Sequence, residues 1–250
     1  MLSKFEGIVL RAKDYGESHQ IVLVFTEHLG KFTVMARGSK KAKSRFRAVT
    51  EPFTQAQFVC FAGSGMPTLS QADILKSRHI LRSDLLLTAY GAYWLELIDK
   101  LIAEKEPNPV VYRFLDLALD LLEKRTDPDI LTRIFELKML KIAGYQPVLH
   151  HCTHCHSSSP LVAFSVRQGG LLCAKCVSTD PEAIPVTKAT ARILPILQMV
   201  ELKRLGEVTV KPETKEQLEG VICLFMDEYL SHQWKARHIL KQLQSAMSTS

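Results

Sequence analysis

The stretch "GIVLRAKDYGESHQIVLVFTEHLGKFTVMARG", Gly7–Gly38, alternates short runs rich in Val, Ile, Phe and Thr with Gly, Ser and charged residues. Runs of this length and composition predict strands rather than helices. Inside it, "FTEHLGKFTV" predicts a hairpin, with Gly30 supplying the backbone freedom that a tight connection needs. Two more runs of the same kind, "FTQAQFVCFAG" and "PTLSQADI", follow before residue 75. Five short strands in so little chain predict a small closed barrel, because closure removes exposed sheet edges.

The third and fourth strands are separated by "ARGSKKAKSRFR", Ala36–Arg47. It holds Arg37, Lys40, Lys41, Lys43, Arg45 and Arg47, and no Asp or Glu occurs between Glu27 and Glu51. Such a connection lies beside a barrel rather than in its core. Two readings compete: a solvated face that aids solubility, or a surface that holds a polyanion. Phe46 sits within the run and has two readings as well, a ring that stacks on a base or an anchor into the barrel. Ser39 and Ser44 are expected to lend the loop flexibility.

From about residue 80 the period becomes helical. "SDLLLTAYGAYWLELIDKLIAEKE" places Leu86, Tyr90, Trp94, Leu97 and Leu101 on one face, which is a core stripe. Asn108 before Pro109 and Asp127 before Pro128 predict two helix starts, and Gly144 predicts a stop. Pro195 is expected to kink the next helix or mark a restart, and Thr214 with Gln217 has capping-box spacing. The expected division is a barrel domain over 1–78, a helical domain over 79–146 and 181–244, an insertion at 147–180 and a frayed tail at 245–250. The fold class is therefore α+β.

The insertion carries Cys152, Cys155, Cys173 and Cys176 in a C-x2-C-x17-C-x2-C pattern, a spacing typical of four-cysteine zinc sites. Two residues between cysteines let one tight turn aim both sulfurs at a single ion. Two such turns make the tetrahedral shell that zinc accepts. Four thiolates leave no open position for water, so one structural Zn2+ per chain is expected. His150, His151, His154 and His156 surround the first pair and read as knuckle residues, with His151 or His154 the alternative ligands. Cys60 and Cys223 lie in apolar runs and read as core.

The chain has 250 residues, a net charge of +6 and a pI near 9.0. That basicity concerns partners rather than fold. The uncharged run Leu85–Leu95 is far shorter than a membrane span, and the charged N-terminus does not read as an export signal, so a cytoplasmic location is expected. No P-loop, dinucleotide fingerprint, H-E-x-x-H or G-x-S-x-G motif occurs, and the carboxylates show no nuclease-like pairing. The expectation is a protein that is not an enzyme and uses no nucleotide cofactor.

"GIVLRAKDYGESHQIVLVFTEHLGKFTVMARGSKKAKSRFRAVTEPF", "FELKMLKIAGYQP", the cysteine pairs around "GGLLC" and "YLSHQWKARHIL" together resemble the RecO family of bacterial recombination mediators. The family's zinc cysteines match at Cys152, Cys155, Cys173 and Cys176. The resemblance implies an OB-fold, a helical domain and an inserted zinc knuckle. It implies binding of single- and double-stranded DNA, annealing of complementary strands, and association with the single-stranded DNA-binding protein SSB and with RecR to load RecA. It also implies a nucleoid-associated bacterial protein without ATP hydrolysis. A receptor for the acidic SSB tail needs an apolar pocket ringed with positive charge. Arg133, Leu137 and Lys141, at i, i+4 and i+8, are the candidate, with an ordinary basic face as the alternative. Two other functions compete with a DNA-binding mediator: a zinc-stapled adaptor whose loop docks an acidic protein, and a hydrolase with a hidden metal site.

Overall fold

The structure, a computed structural model, describes residues 2–61, 63, 65–204 and 209–248. The chain forms two compact units, one from Met1–Arg125 with Trp234–Ser250 and the other from Thr126–Gln233.

The first unit opens with five strands: β1 (Leu2–Tyr15), β2 (His19–Thr26), β3 (Gly30–Ala36), β4 (Gln55–Phe61) and β5 (Thr68–Lys76). They close into a barrel in the order β1-β2-β3-β5-β4. The long β1 serves two neighbours. Its first half pairs with β4, from Leu2 opposite Phe61 to Ile8 opposite Gln55. Its second half pairs with β2, and the register slips between Val9 and Arg11. A slip of this kind bends a strand, as a small barrel requires at its corners. A parallel pairing of Met35 with Thr68 closes the ring. Val9, Val22, Val24, Val34, Phe58 and Leu69 fill the interior, together with Cys60, whose thiol burial pushes up to about 11.

The expected hairpin joins β2 to β3. Gly30 takes φ +68, and a Cβ there would lie 2.5 Å from the Glu106 carbonyl oxygen, so both conformation and space demand glycine. The Thr26 hydroxyl ties the turn, donating to Gly30 O and accepting from Leu29 N, each at 2.9 Å.

Helices α1 (His79–Ser83), α2 (Leu85–Leu101) and α3 (Pro109–Glu123) follow. Asp84 caps α2 by accepting from Leu86 N and Leu87 N at 3.0 Å. Asn108 caps α3 through Val111 N, with Pro109 in its first turn. Tyr90, Trp94 and Leu97 of the expected stripe are buried.

The second unit contains α4 (Pro128–Ile142), β6 (Leu161–Ser165), β7 (Gly170–Cys173), β8 (Ile184–Pro185), α5 (Lys188–Met199) and α6 (Pro212–Tyr229). Asp127 caps α4 through Ile130 N, and the helix ends before Gly144, which takes φ +87. Pro195 lies inside α5 and starts no new helix. The capping-box expectation fails. Helix α6 begins earlier, at Pro212, whose fixed φ suits a first helical position. Gln217 instead accepts from Thr187 N at 2.8 Å and from the Thr190 hydroxyl at 2.6 Å.

The last helix, α7 (Lys235–Ser248), belongs to the first unit and packs on α2. Its first turn is capped from α2: Glu96 accepts from Lys235 N at 3.0 Å and from Ala236 N at 2.9 Å. The expected frayed tail is corrected over 245–248, which continue α7, while Thr249 and Ser250 lie outside the described residues. Among the described residues no helix is long and apolar enough to cross a membrane.

Candidate nucleic-acid interface and metal centre

The basic stretch forms a run of turns between β3 and β4. It is pinned against the barrel at several points. Lys40 N donates to Ser18 O at 3.2 Å, and Gly38 N donates to His19 Nδ1 at 2.9 Å. The Thr50 hydroxyl bonds Gln20 at 3.1 Å. Phe46 and Val49 insert into the barrel core. Of the two readings of Phe46, its 8% exposure supports the anchor. Ser39 is fully buried, so it is a packed residue and not a flexible one.

The anchors turn the cations outward. Arg37, Lys40, Lys41, Lys43, Arg45 and Arg47 are all exposed. Two have internal partners. Lys40 pairs with Asp14, and that hydrogen bond is the main reason the Asp14 carboxyl lies below its usual range. Arg45 donates to Ser70 O at 2.8 Å, with its guanidinium 4.8 Å from the Phe46 ring centre. The others show no ion pair among the described residues.

The four expected cysteines come together. The Sγ atoms of Cys152, Cys155, Cys173 and Cys176 all lie within 4.8 Å of one another. Cys152 and Cys173 are buried and Cys155 is exposed. The strand pair β6–β7 brings the second turn under the first, since β7 ends at Cys173. Thr153 N donates to Leu171 O at 2.8 Å and Leu171 N to Val148 O at 2.9 Å. The approach is so close at Gly170 that a Cβ would lie 2.3 Å from Val148 O.

Burial opposes ionisation of Cys152. Backbone N–H groups of Cys155, Cys173 and His154 outweigh it and bring that thiol down to about 6. Burial and hydrogen bonds with the other three thiols push Cys176 up to about 12. A tetrahedron of sulfurs about 2.3 Å from zinc has edges of about 3.8 Å. Cys155 and Cys173 stand 3.8 Å apart, so the site fits that ion. The rings of His151 and His156 lie 5.5 Å apart, tilted by 49°, and are not part of the cluster.

Arg133, Leu137 and Lys141 share a face of α4, as their spacing requires, but it turns mostly inward. Arg133 lies against Glu136 at 3.1 Å and near Cys223 at 3.7 Å, and Leu137 is buried. Only Lys141 is exposed, so this face is packed interior and not a receptor pocket.

Against known families, the model described as recombination protein O N terminal matches residues 1–78, and the one described as recombination protein O C terminal matches residues 82–238. The chain belongs to the RecO family. It is 44% identical to the DNA repair protein RecO of Bacillus subtilis, over 98% of this chain and 96% of that one. It is 40% identical to the RecO protein of Oceanobacillus iheyensis, over 97% and 94%. It is 41% identical to that of Halalkalibacterium halodurans, over 98% and 96%. RecO membership makes this a DNA repair protein, with DNA binding and recombination as its field of action.

The reading of the sequence passed over a second basic element. No Asp or Glu follows Glu228, while Lys235, Arg237 and Lys241 fall in α7. The absence of acids, the signal that exposed the 36–47 stretch, was equally available there.

Proposed function

We propose that this protein is a non-catalytic DNA-binding and strand-annealing mediator of recombinational repair. It acts with SSB and RecR to promote RecA loading, close to the nucleoid. The observation that carries the reading is the set of six exposed cations on a connection anchored into a closed five-stranded barrel, in a chain of the RecO family. Anchored cations cost little ordering when a strand arrives, and each phosphate they neutralise releases counterions. Sequence-tolerant binding follows, which suits an agent that must anneal any complementary pair. The SSB, RecR and RecA steps rest on likeness to the family.

The four-cysteine cluster is read as one structural zinc per chain. The chemistry of the donors supports this: four sulfurs within 4.8 Å of one another, which would leave no open ligand position. Zinc would tie the two turns of the knuckle together.

The test is anisotropy of a labelled oligo-dT strand across several salt concentrations, beside a Lys40→Glu, Lys41→Glu, Lys43→Glu, Arg45→Glu variant. Steeply salt-dependent binding that the variant loses supports the reading. If the wild type does not bind, the reading fails and an adaptor that docks an acidic protein replaces it.

A further inference from the structure

Within the first unit a cavity of about 660 Å³ opens between the barrel, α2 and α7. Its position is distinctive. It is lined by Glu51–Phe53, the chain that continues directly from the basic stretch, and by the first turn of α7.

The floor is apolar: Leu10 from β1, Phe53, and Ala92 and Leu95 from α2. Ile239 of α7 borders it and is 53% exposed, an aliphatic surface open to solvent in a basic helix. Four cations, Arg11, Arg82, Lys100 and Lys235, and three carboxylates also line the cavity. Arg82 donates to neutral oxygens, Pro52 O at 3.0 Å, Thr54 Oγ1 at 3.3 Å and Ser77 O at 2.7 Å. The Lys235 side chain is exposed and has no ion-pair partner among the described residues. The acids there are largely engaged. Asp99 is shared between Arg11, at 2.9 Å, and Lys31, at 3.4 Å. Both oxygens of Glu96 cap α7. Glu51 is the remaining carboxylate at the rim.

The wall is also fixed in place. Phe53 holds a left-handed backbone at φ 72, its carbonyl accepts from Arg78 at 3.0 Å, and its ring packs where Gly91 leaves room. Strain of this kind persists where the surroundings over-determine it, and it gathers at ligand sites.

We infer that this cavity receives an unstacked nucleotide of a single DNA strand leaving the basic stretch, with the base on the apolar floor and its phosphates at Lys235 and Arg82. This rests on the proposed strand binding and deepens it. The ligand must join an anion to an apolar body, and a nucleotide does both. Continuity with the cation row favours a strand over an acidic peptide, which meets the same chemistry. The strand path therefore turns the corner at Pro52 and ends on α7.

The experiment uses the full chain and an oligo-dT carrying 4-thiothymidine, cross-linked by light and mapped by mass spectrometry. Cross-links at 51–53 and 235–239, in addition to those at 37–47, are expected. A Lys235→Glu, Ile239→Asp variant alters only exposed side chains and should melt as the wild type does. It should lose the α7 cross-links and weaken strand binding on the order of tenfold. Cross-links confined to the basic stretch, with unchanged affinity in that variant, would overturn the inference while leaving strand binding intact. So would binding of an Asp-rich peptide ending in Leu that the same variant abolishes while strand affinity stays unchanged. Loss of all binding in the wild type would instead remove the proposed function itself.

Discussion

Cys155 and Cys173 face each other with their sulfurs 3.8 Å apart, one exposed and the other buried. That separation matches one edge of a zinc–thiolate tetrahedron and is too long for a disulfide, whose sulfurs bond at about 2.0 Å. Elemental analysis of purified protein should find one zinc per chain. Replacing the buried Cys173 with Ser should leave zinc well below stoichiometric and lower the melting temperature by several degrees. Acid should also release the metal, because protons compete with it for thiolates. Unchanged zinc content and an unchanged melt in Cys173→Ser would refute the four-thiolate site.

Arg78 is a heavily committed charge in the first unit. Its side chain is fully buried and paired with Asp116 and with Asp120, the latter at 3.0 Å. Lys76 reaches the same two carboxylates at 2.9 and 2.7 Å. Arg78→Met would leave two half-buried acids beside one lysine. It should cost about 3–5 kcal/mol, seen as a lower urea midpoint. Adding Asp116→Asn and Asp120→Asn should recover part of that loss. No recovery would mean that Arg78 acts through its bonds to the Phe53 and Asp116 carbonyls instead.

Much of this architecture was readable beforehand, for physical reasons. Short runs rich in Val, Ile, Phe and Thr, with Gly30 at the hairpin, pointed to the barrel, because such residues suit a pleated strand and closure removes its edges. Asn108–Pro109 and Asp127–Pro128 marked their helix starts because side-chain cap and fixed φ act locally. Cysteine spacing gave the cluster because two tight turns need nothing beyond themselves. Other features depend on distant chain. Thr214 looked like a cap, but Pro212 starts the helix and Gln217 is taken by Thr187 and Thr190, far away in sequence. Arg133 and Leu137 share a face, yet spacing cannot say whether it meets solvent or α6. The cavity draws on four separate segments, which no single run announces.

The cap at Asp84 makes a prediction in pH. Its carboxyl lies below the usual range, chiefly through the Leu87 N–H bond, which with help from Arg125 and Leu86 N–H outweighs burial. A depressed folded pKa adds stability above the unfolded pKa and loses it as pH falls through the folded one. Asp84→Ala should therefore be about 1 kcal/mol less stable near neutrality. The gap should narrow as acid protonates the wild-type carboxyl. Asp84→Asn keeps an accepting oxygen and should show a smaller neutral-pH deficit. Urea midpoints for the three proteins between neutrality and acid would check this. A gap that stays constant into acid would deny the charged cap.

The six cations of the basic stretch should not contribute equally to strand binding. Lys40 is already matched by Asp14, while Lys41 and Lys43 are exposed with no carboxylate partner among the described residues. A cation that neutralises a phosphate adds about 0.7 to the logarithmic salt slope on a single strand. Lys41→Gln and Lys43→Gln should each lower the slope by about that amount. Lys40→Gln should lower it less, because Asp14 rather than a counterion already neutralises Lys40, while the carboxylate it uncovers beside the strand should still weaken affinity. The double variant Lys40→Gln, Asp14→Asn separates these effects. It removes both charges, so affinity should return most of the way to the wild-type value. Anisotropy of oligo-dT at several salt concentrations measures all four. Equal slope losses at Lys40, Lys41 and Lys43 would mean that the strand displaces Asp14 from Lys40 on arrival.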